Sequence, residues 1–240
     1  MKVLMINGSS RQKNTYNLLQ QIGKILKTRG IETEILNLFD YNIRDCEGCE
    51  VCITEKTCAL TDEMPLVMQK ILNSDGVVMS SPVYMSGVTS RFKAFADRTN
   101  MWIHKPETAG KPVMFAATSA ATGLKETKRF FEQYASGLGM RKGDFISRAG
   151  RNMAKPVEEK ELSRFLTLLN RDRKQYNPAM DEIVMFTVGK VLALKSTGED
   201  RKFWEEKKWL DKSYYYPCKM NPGKKLFAKF MFKVLSKAMN

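Results

Sequence analysis

The sequence predicts an α/β protein, a doubly wound sheet of five parallel strands with an α-helical extension behind it. Three observations carry this. Short apolar runs alternate with segments of helical periodicity over residues 1–150. No hairpin signal joins successive runs, so each connection crosses over and covers the sheet with helices on both faces. Beyond Gly150 the strand signal stops and helical periodicity continues into an aromatic stretch and a basic tail.

The elements follow in order. Lys2 to Ile6 is an apolar strand that enters the polar loop NGSSRQKN; Tyr16, Leu18, Leu19, Ile22, Ile25 and Leu26 then recur at helical spacing up to Gly30. IETEILNL alternates apolar and polar residues as a strand does, and a helix is expected from about Asp62 to Asn73, with Asp and Glu in its first turn as the helix dipole prefers. DGVVMSSP is a buried third strand that breaks at Pro82, with helical periodicity after it in SGVTSRFKAFADRTNMW. KPVMFAATS and ETKRFFEQYASGLGM repeat the pair, and MRKGDFISRAG is the fifth strand. The expected division is residues 1–150 for the sheet domain and 151–240 for the extension. The latter holds two helices, in EEKELSRFLTLLNRDRKQ and AMDEIVMFTVGKVLALK, before Trp204, Trp209 and YYYP.

Composition narrows the class. With 240 residues, 43% of them hydrophobic, the chain can bury a substantial core. The opening MKVLMINGSS turns polar too soon for a secretory signal, and the stretch from Ile183 to Leu194 is too short to span a bilayer, so a cytoplasmic protein is expected. Lys and Arg total 40 against 26 Asp and Glu, and the last forty residues carry 11 basic and 3 acidic side chains. Such a field favours acidic partners or simply solvates the surface; no nucleic-acid reading motif accompanies it, and none is expected to bind.

In a parallel doubly wound sheet, ligands bind beyond the carboxyl ends of the strands. The loop after the first strand contains one glycine, which excludes both GxGxxG and GxxxxGK[ST]. Ser9, Ser10, Thr15, Asn14 and Arg11 at the start of a helix suit a phosphate monoester; the alternative is a plain helix cap by Asn14 or Thr15.

Three segments in order, GSSRQKNT, SPVYMSGVTSRFKAFADR and TSAATG, resemble the flavodoxin-like NAD(P)H-dependent FMN reductases, most of all their iron–sulfur flavoprotein branch. The resemblance spans residues 1–150 and implies a flavodoxin-like sheet of order 2-1-3-4-5. It implies FMN as cofactor, with Ser9, Arg11, Asn14 and Thr15 on its phosphate. Pro82, Val83, Tyr84, Met85 and Ser86 would line the ring, and Thr118, Ser119, Ala120, Ala121 and Gly123 would close the far side. FMN carries the redox chemistry, so no catalytic acid or base is required, in keeping with a single histidine, His104, read as a surface or subunit-contact residue.

Four of the five cysteines, Cys46, Cys49, Cys52 and Cys58, fall within CEGCEVCITEKTC. A reducing compartment disfavours a disulfide knot, and structural zinc uses more widely separated knuckles. C-x2-C-x2-C-x5-C matches the compact spacing that holds iron–sulfur clusters, with free thiols as the alternative. The resemblance implies a [4Fe–4S] cluster near the FMN of a neighbouring subunit, and hence a homodimer or larger homo-oligomer.

The expected activity is an FMN-dependent oxidoreductase that takes electrons from NAD(P)H, as a transient co-substrate, or from a ferredoxin-like donor. The alternative is a non-enzymatic electron carrier for which an acidic ferredoxin-like protein is the partner. In the tail, residues 223–239, Leu226, Phe227, Phe230, Met231, Val234 and Leu235 are expected on one helical face, with Lys225, Lys229, Lys233 and Lys237 on the other. Such a helix docks on the protein body or lies on an anionic membrane surface. Cys218, ahead of it, is expected to be buried or incidental.

Overall fold

Strands that read as continuous apolar runs end up buried on both faces, as parallel sheets require. In the computed structural model, which describes residues 1–55 and 57–238, the strands are β1 (Lys2–Asn7), β2 (Glu32–Asn37), β3 (Gly76–Pro82), β4 (Pro112–Ser119) and β5 (Arg141–Ala149). They form one parallel sheet in the order β2-β1-β3-β4-β5. Every residue of β3 and β4 is buried, whereas the edge strands β2 and β5 are partly exposed along most of their length.

Helices α1 (Asn14–Thr28), α2 (Val51–Thr54), α3 (Met64–Leu72), α4 (Ser90–Arg98), α5 (Met101–His104) and α6 (Leu124–Gly137) lie between the strands. After β5 come α7 (Ser163–Asn170), α8 (Met180–Lys195), α9 (Glu199–Glu206) and α10 (Pro222–Ala238). Alternate residues of each strand serve opposite faces. Val3, Met5, Val78 and Met114 pack with Leu18, Leu19, Ile22 and Leu26 of α1 and Phe165 of α7. Leu4, Ile6, Val77, Met79 and Phe115 pack with Val67 and Ile71 of α3, Phe92 and Phe95 of α4 and Phe131 of α6. Helix α7 therefore shares a layer with α1, although it lies beyond residue 150. The region after it builds a further layer: α8 packs against α6, α9 and α10, and Phe186, Trp204, Trp209, Tyr214 and Tyr215 form its core.

Three expectations change. Helix α3 begins at Met64, with Pro65 in its first turn, so Asp62 and Glu63 precede it. Asp62 accepts from Met64 N at 3.0 Å and from Arg44 N at 2.9 Å, and pairs with Arg98 across the fold. His104 is half-buried: the Trp204 indole donates to its backbone oxygen at 2.7 Å, and burial lowers the imidazole pKa. In α10 the six apolar residues do not share a face. Phe227, Met231 and Leu235 turn inward with the buried Ala228, while Leu226, Phe230 and Val234 face solvent. Met239, part of the expected tail helix, and Lys56, inside the cysteine stretch, lie outside the described residues.

The Asp62–Arg98 pair is almost fully buried, with side chains 0% and 1% exposed. Burial alone pushes the Asp62 pKa up, but the Arg98 guanidinium and the N–H groups of Arg44 and Met64 outweigh it and hold the carboxyl below its ordinary value. A depressed pKa means that the pair's contribution is complete above the unfolded value of about 3.9 and fades as pH falls through the folded one. Asp62→Asn should therefore lower the unfolding free energy at neutral pH by about 3–5 kcal/mol in urea titrations, with the gap narrowing only below about pH 4.

Candidate functional site

The strand order sends the chain in opposite directions from the carboxyl ends of β1 and β3, which opens a crevice between the loops that follow them. Gly8 N donates to Ser80 O at 2.9 Å, and a Cβ on Gly8 would meet that oxygen at 2.8 Å, so the close approach of loop to strand requires glycine. Thr89 Oγ1 donates to Gly8 O at 2.7 Å and accepts from Phe92 N, so one hydroxyl holds the first loop and caps α4. Asn7 accepts from Ser9 N and donates to Asn37 Oδ1. Ser9 Oγ is engaged with the backbone of Arg11 at both its N–H and its carbonyl, so it shapes the loop.

Neither Asn14 nor Thr15 caps α1. The helix starts after Lys13 with no side-chain cap and no acidic residue in its first turn, while Arg11 and Lys13 stand at its mouth. Uncapped N–H groups, the positive end of the helix dipole and two cations together give this corner a positive potential. The Thr15 hydroxyl instead meets Thr118 Oγ1 at 2.6 Å and ties the first loop to the end of β4.

The wall after β3 is a tight turn. Tyr84 and Gly87 exchange two backbone hydrogen bonds of 2.9 Å, with Met85 at φ 47° and Ser86 at φ 60°. Two non-glycine residues in left-handed conformations cost about 1–3 kcal/mol each, and no local residue signal announces the turn. It is held from outside: Val83 N donates to Thr118 O at 2.8 Å, and Arg11 Nη2 donates to the Tyr84 hydroxyl at 3.0 Å. Gly123, at φ 86°, lies so close that an added Cβ would fall 2.6 Å from Val83 Cγ1.

These loops enclose a cleft of about 200 Å³. Of the expected residues, Ser9, Arg11, Asn14, Thr15, Pro82, Val83, Tyr84, Thr118, Ser119 and Ala120 line it. Met85, Ser86, Ala121 and Gly123 do not: Met85 is wholly exposed at the rim, and Gly123 supports the turn from behind. Lys13 and Met153 also line the cleft and were not anticipated. Met153 follows β5, so the rule that ligands bind beyond the carboxyl ends of strands covers it as well.

The cysteine stretch lies beyond β2. Cys46 and Cys49 are exposed, while Cys52, on α2, and Cys58 are half-buried. Burial first, then the neighbouring Cys58, Cys46 and Cys49, raise the Cys52 pKa. Among the described residues, no three His, Cys, Asp or Glu side chains converge closely enough to hold a metal ion. Two cations lie beside this stretch: Arg98, which pairs with Asp62 and donates to Arg44 O, leaves its buried Nε without a partner, and buried Lys105 donates to Cys52 O at 2.9 Å and to Glu55 O. Cys218 is half-buried, and burial pushes its thiol up to about 11.

Residues 1–142 match the family model described as NADPH-dependent FMN reductase. An iron–sulfur flavoprotein of Archaeoglobus fulgidus is 39% identical over 101 residues, covering 42% of this chain and 50% of that protein. One from Methanocaldococcus jannaschii is 36% identical over 100 residues, covering 41% and 52%. The matched stretch thus spans about half the length of these curated relatives. The solved structure of RosB with a bound 8-demethyl-8-formylriboflavin-5′-phosphate intermediate aligns with a TM-score of 0.54 at 16% identity, over 70% of this chain and 75% of that one, a likeness of fold.

The buried Thr15–Thr118 contact can be tested directly. Thr15→Val or Thr118→Val alone strands the other hydroxyl and should cost about 1–3 kcal/mol in urea unfolding, while the double substitution should cost less than the two singles added together.

Proposed function

Since the chain belongs to the NADPH-dependent FMN reductase family, we propose that it is an FMN-dependent oxidoreductase that takes electrons from NAD(P)H, or from a ferredoxin-like donor, and delivers them to a small acceptor. The observation that carries this reading is the uncapped, acid-free start of α1 beside Arg11 and Lys13, facing the Pro82–Val83–Tyr84 wall across one cleft.

Bound FMN would supply the redox chemistry, exchanging a hydride or single electrons. The first-turn N–H groups of α1, with Arg11 and Lys13, would hold its phosphate. Pro82, Val83 and Tyr84 offer apolar and aromatic surface to the ring, and Thr118, Ser119 and Ala120 offer hydroxyl and backbone groups. Arg11 would serve twice, through its charge and by fixing the Tyr84 hydroxyl. Among the described residues, no carboxylate and no histidine lines the cleft. A cationic cleft of this kind favours a bound group that gains negative charge on reduction. Met85 and Tyr84, exposed at the rim, favour a second copy of the chain as the element that completes the pocket.

Cys46, Cys49, Cys52 and Cys58 would hold a [4Fe–4S] cluster. The donor set suits one, and Arg98, its charge already paired with Asp62, still has a buried Nε–H without a partner that could donate to an anionic group. The exposed Cys46 and Cys49 would have to close toward Cys52 as it assembles. Such a centre handles one electron at a time and would let the flavin serve one-electron partners. An electron carrier without turnover of its own is the second reading, favoured by the net charge of +14, which suits an acidic protein partner.

Fluorescence titration of the apoprotein should show FMN binding more tightly than riboflavin, and Arg11→Gln should raise the FMN Kd about tenfold and the riboflavin Kd by clearly less. Equal affinity for the two ligands, or no binding of either, would sink the flavin assignment. Anaerobically purified protein should contain about four irons and four acid-labile sulfides per chain; flavin without iron removes the cluster. Rapid steady-state oxidation of NAD(P)H identifies the enzyme, whereas negligible turnover with fast reduction by ferredoxin identifies the carrier.

A further inference from the structure

Helix α10 docks on α8 through one face and leaves the opposite one uncovered. Its buried side carries Phe227, Ala228, Met231, Phe232 and Leu235, and the Lys190 ammonium sits 5.0 Å from the Phe232 ring. On the outer side Leu226, Phe230 and Val234 succeed one another at intervals of four residues, 70%, 60% and 41% exposed. Three large apolar residues in line on a surface helix form a ridge, and neither the sheet nor the flavin cleft uses it. Beside that ridge run Lys225, Lys229 and Lys233, with Lys237 continuing its line. From Pro222 to Ala238 the helix has five lysines and no acidic residue.

We propose that this ridge is a docking surface for anionic phospholipid, with Leu226, Phe230 and Val234 entering the acyl boundary and the lysines gripping the headgroups. Charge complementarity selects this occupant. A second copy meeting the same face antiparallel across a two-fold axis would set lysine against lysine. The ridge is convex, so it suits a soft interface that side chains can enter better than a preformed protein groove. Apolar side chains on one arc, with lysines beside them that can extend to the headgroups, are the arrangement of an interfacial helix. Among the described residues no helix is long and apolar enough to cross a membrane, so the contact is peripheral. The inference stands apart from the flavin reading, because it uses none of the same residues.

The test is flotation of the full chain with vesicles of phosphatidylcholine alone and of phosphatidylcholine mixed with phosphatidylglycerol, at low and high salt. The protein should float with the anionic vesicles only, and high salt should release it. Changing Leu226, Phe230 and Val234 together to Ser should lower partitioning by more than about tenfold. Changing Lys225, Lys229 and Lys233 together to Gln should lower it about a hundredfold. All six side chains point away from the core, so both variants should keep the wild-type thermal unfolding curve. The proposal falls if the wild type stays with the soluble fraction, or if both variants partition as well as it does. It falls equally if sedimentation velocity shows a dimer that the Ser variant dissolves, which would assign the ridge to a second copy.

Discussion

The pairing of β1 with β3 is the constraint on which the rest of the molecule depends. Its register sets Asn7 against Ser80, and the next residue, Gly8, donates its N–H back to Ser80. With β2 on the other side of β1, the chain must leave these two strand ends in opposite directions, so a crevice opens there. A shift of one residue would exchange the faces on which Val3 and Leu4 lie and remove both layers of the core. The crevice is therefore held by the same hydrogen bonds and packing that hold the fold.

Polar groups then join what the sheet brings together. Thr89 ties the first loop to α4, Thr15 meets Thr118, and Arg11 reaches Tyr84. Each link joins loops from different crossovers, and together they support a turn at Met85 and Ser86 whose conformation those residues disfavour when alone. The helix start at Lys13, left without a side-chain cap, is the unmet polar capacity in this network, and an anionic ligand would meet it.

The helical region serves different ends. Helix α7 completes the layer begun by α1, while α8, α9 and the Trp and Tyr cluster stand on α5 and α6, away from the cleft. Helix α9 also packs against α2, which carries Cys52, so the extension supports the cysteine stretch from one side while the buried Arg98 and Lys105 support it from within. Burial of α8 on several sides explains its long apolar sequence without a membrane.

Much of this was legible in the chain. The apolar runs, their spacing and the lack of hairpin signals determined the order of strands and helices, because strand and helix periods follow from local backbone geometry. The rule about strand ends selected the first loop with Arg11, and the family resemblance carried by SPVY selected Pro82 to Tyr84. Tertiary structure alone decided that Asp62 would serve Arg98 rather than the dipole of α3, and that Thr15 would turn to Thr118 instead of capping α1. It decided too that Lys13 and Met153 would reach the cleft and that the apolar residues of α10 would divide between α8 and solvent. Periodicity states which residues share a helical arc; which part of that arc is covered depends on neighbours from distant segments, and a one-dimensional pattern carries no record of them.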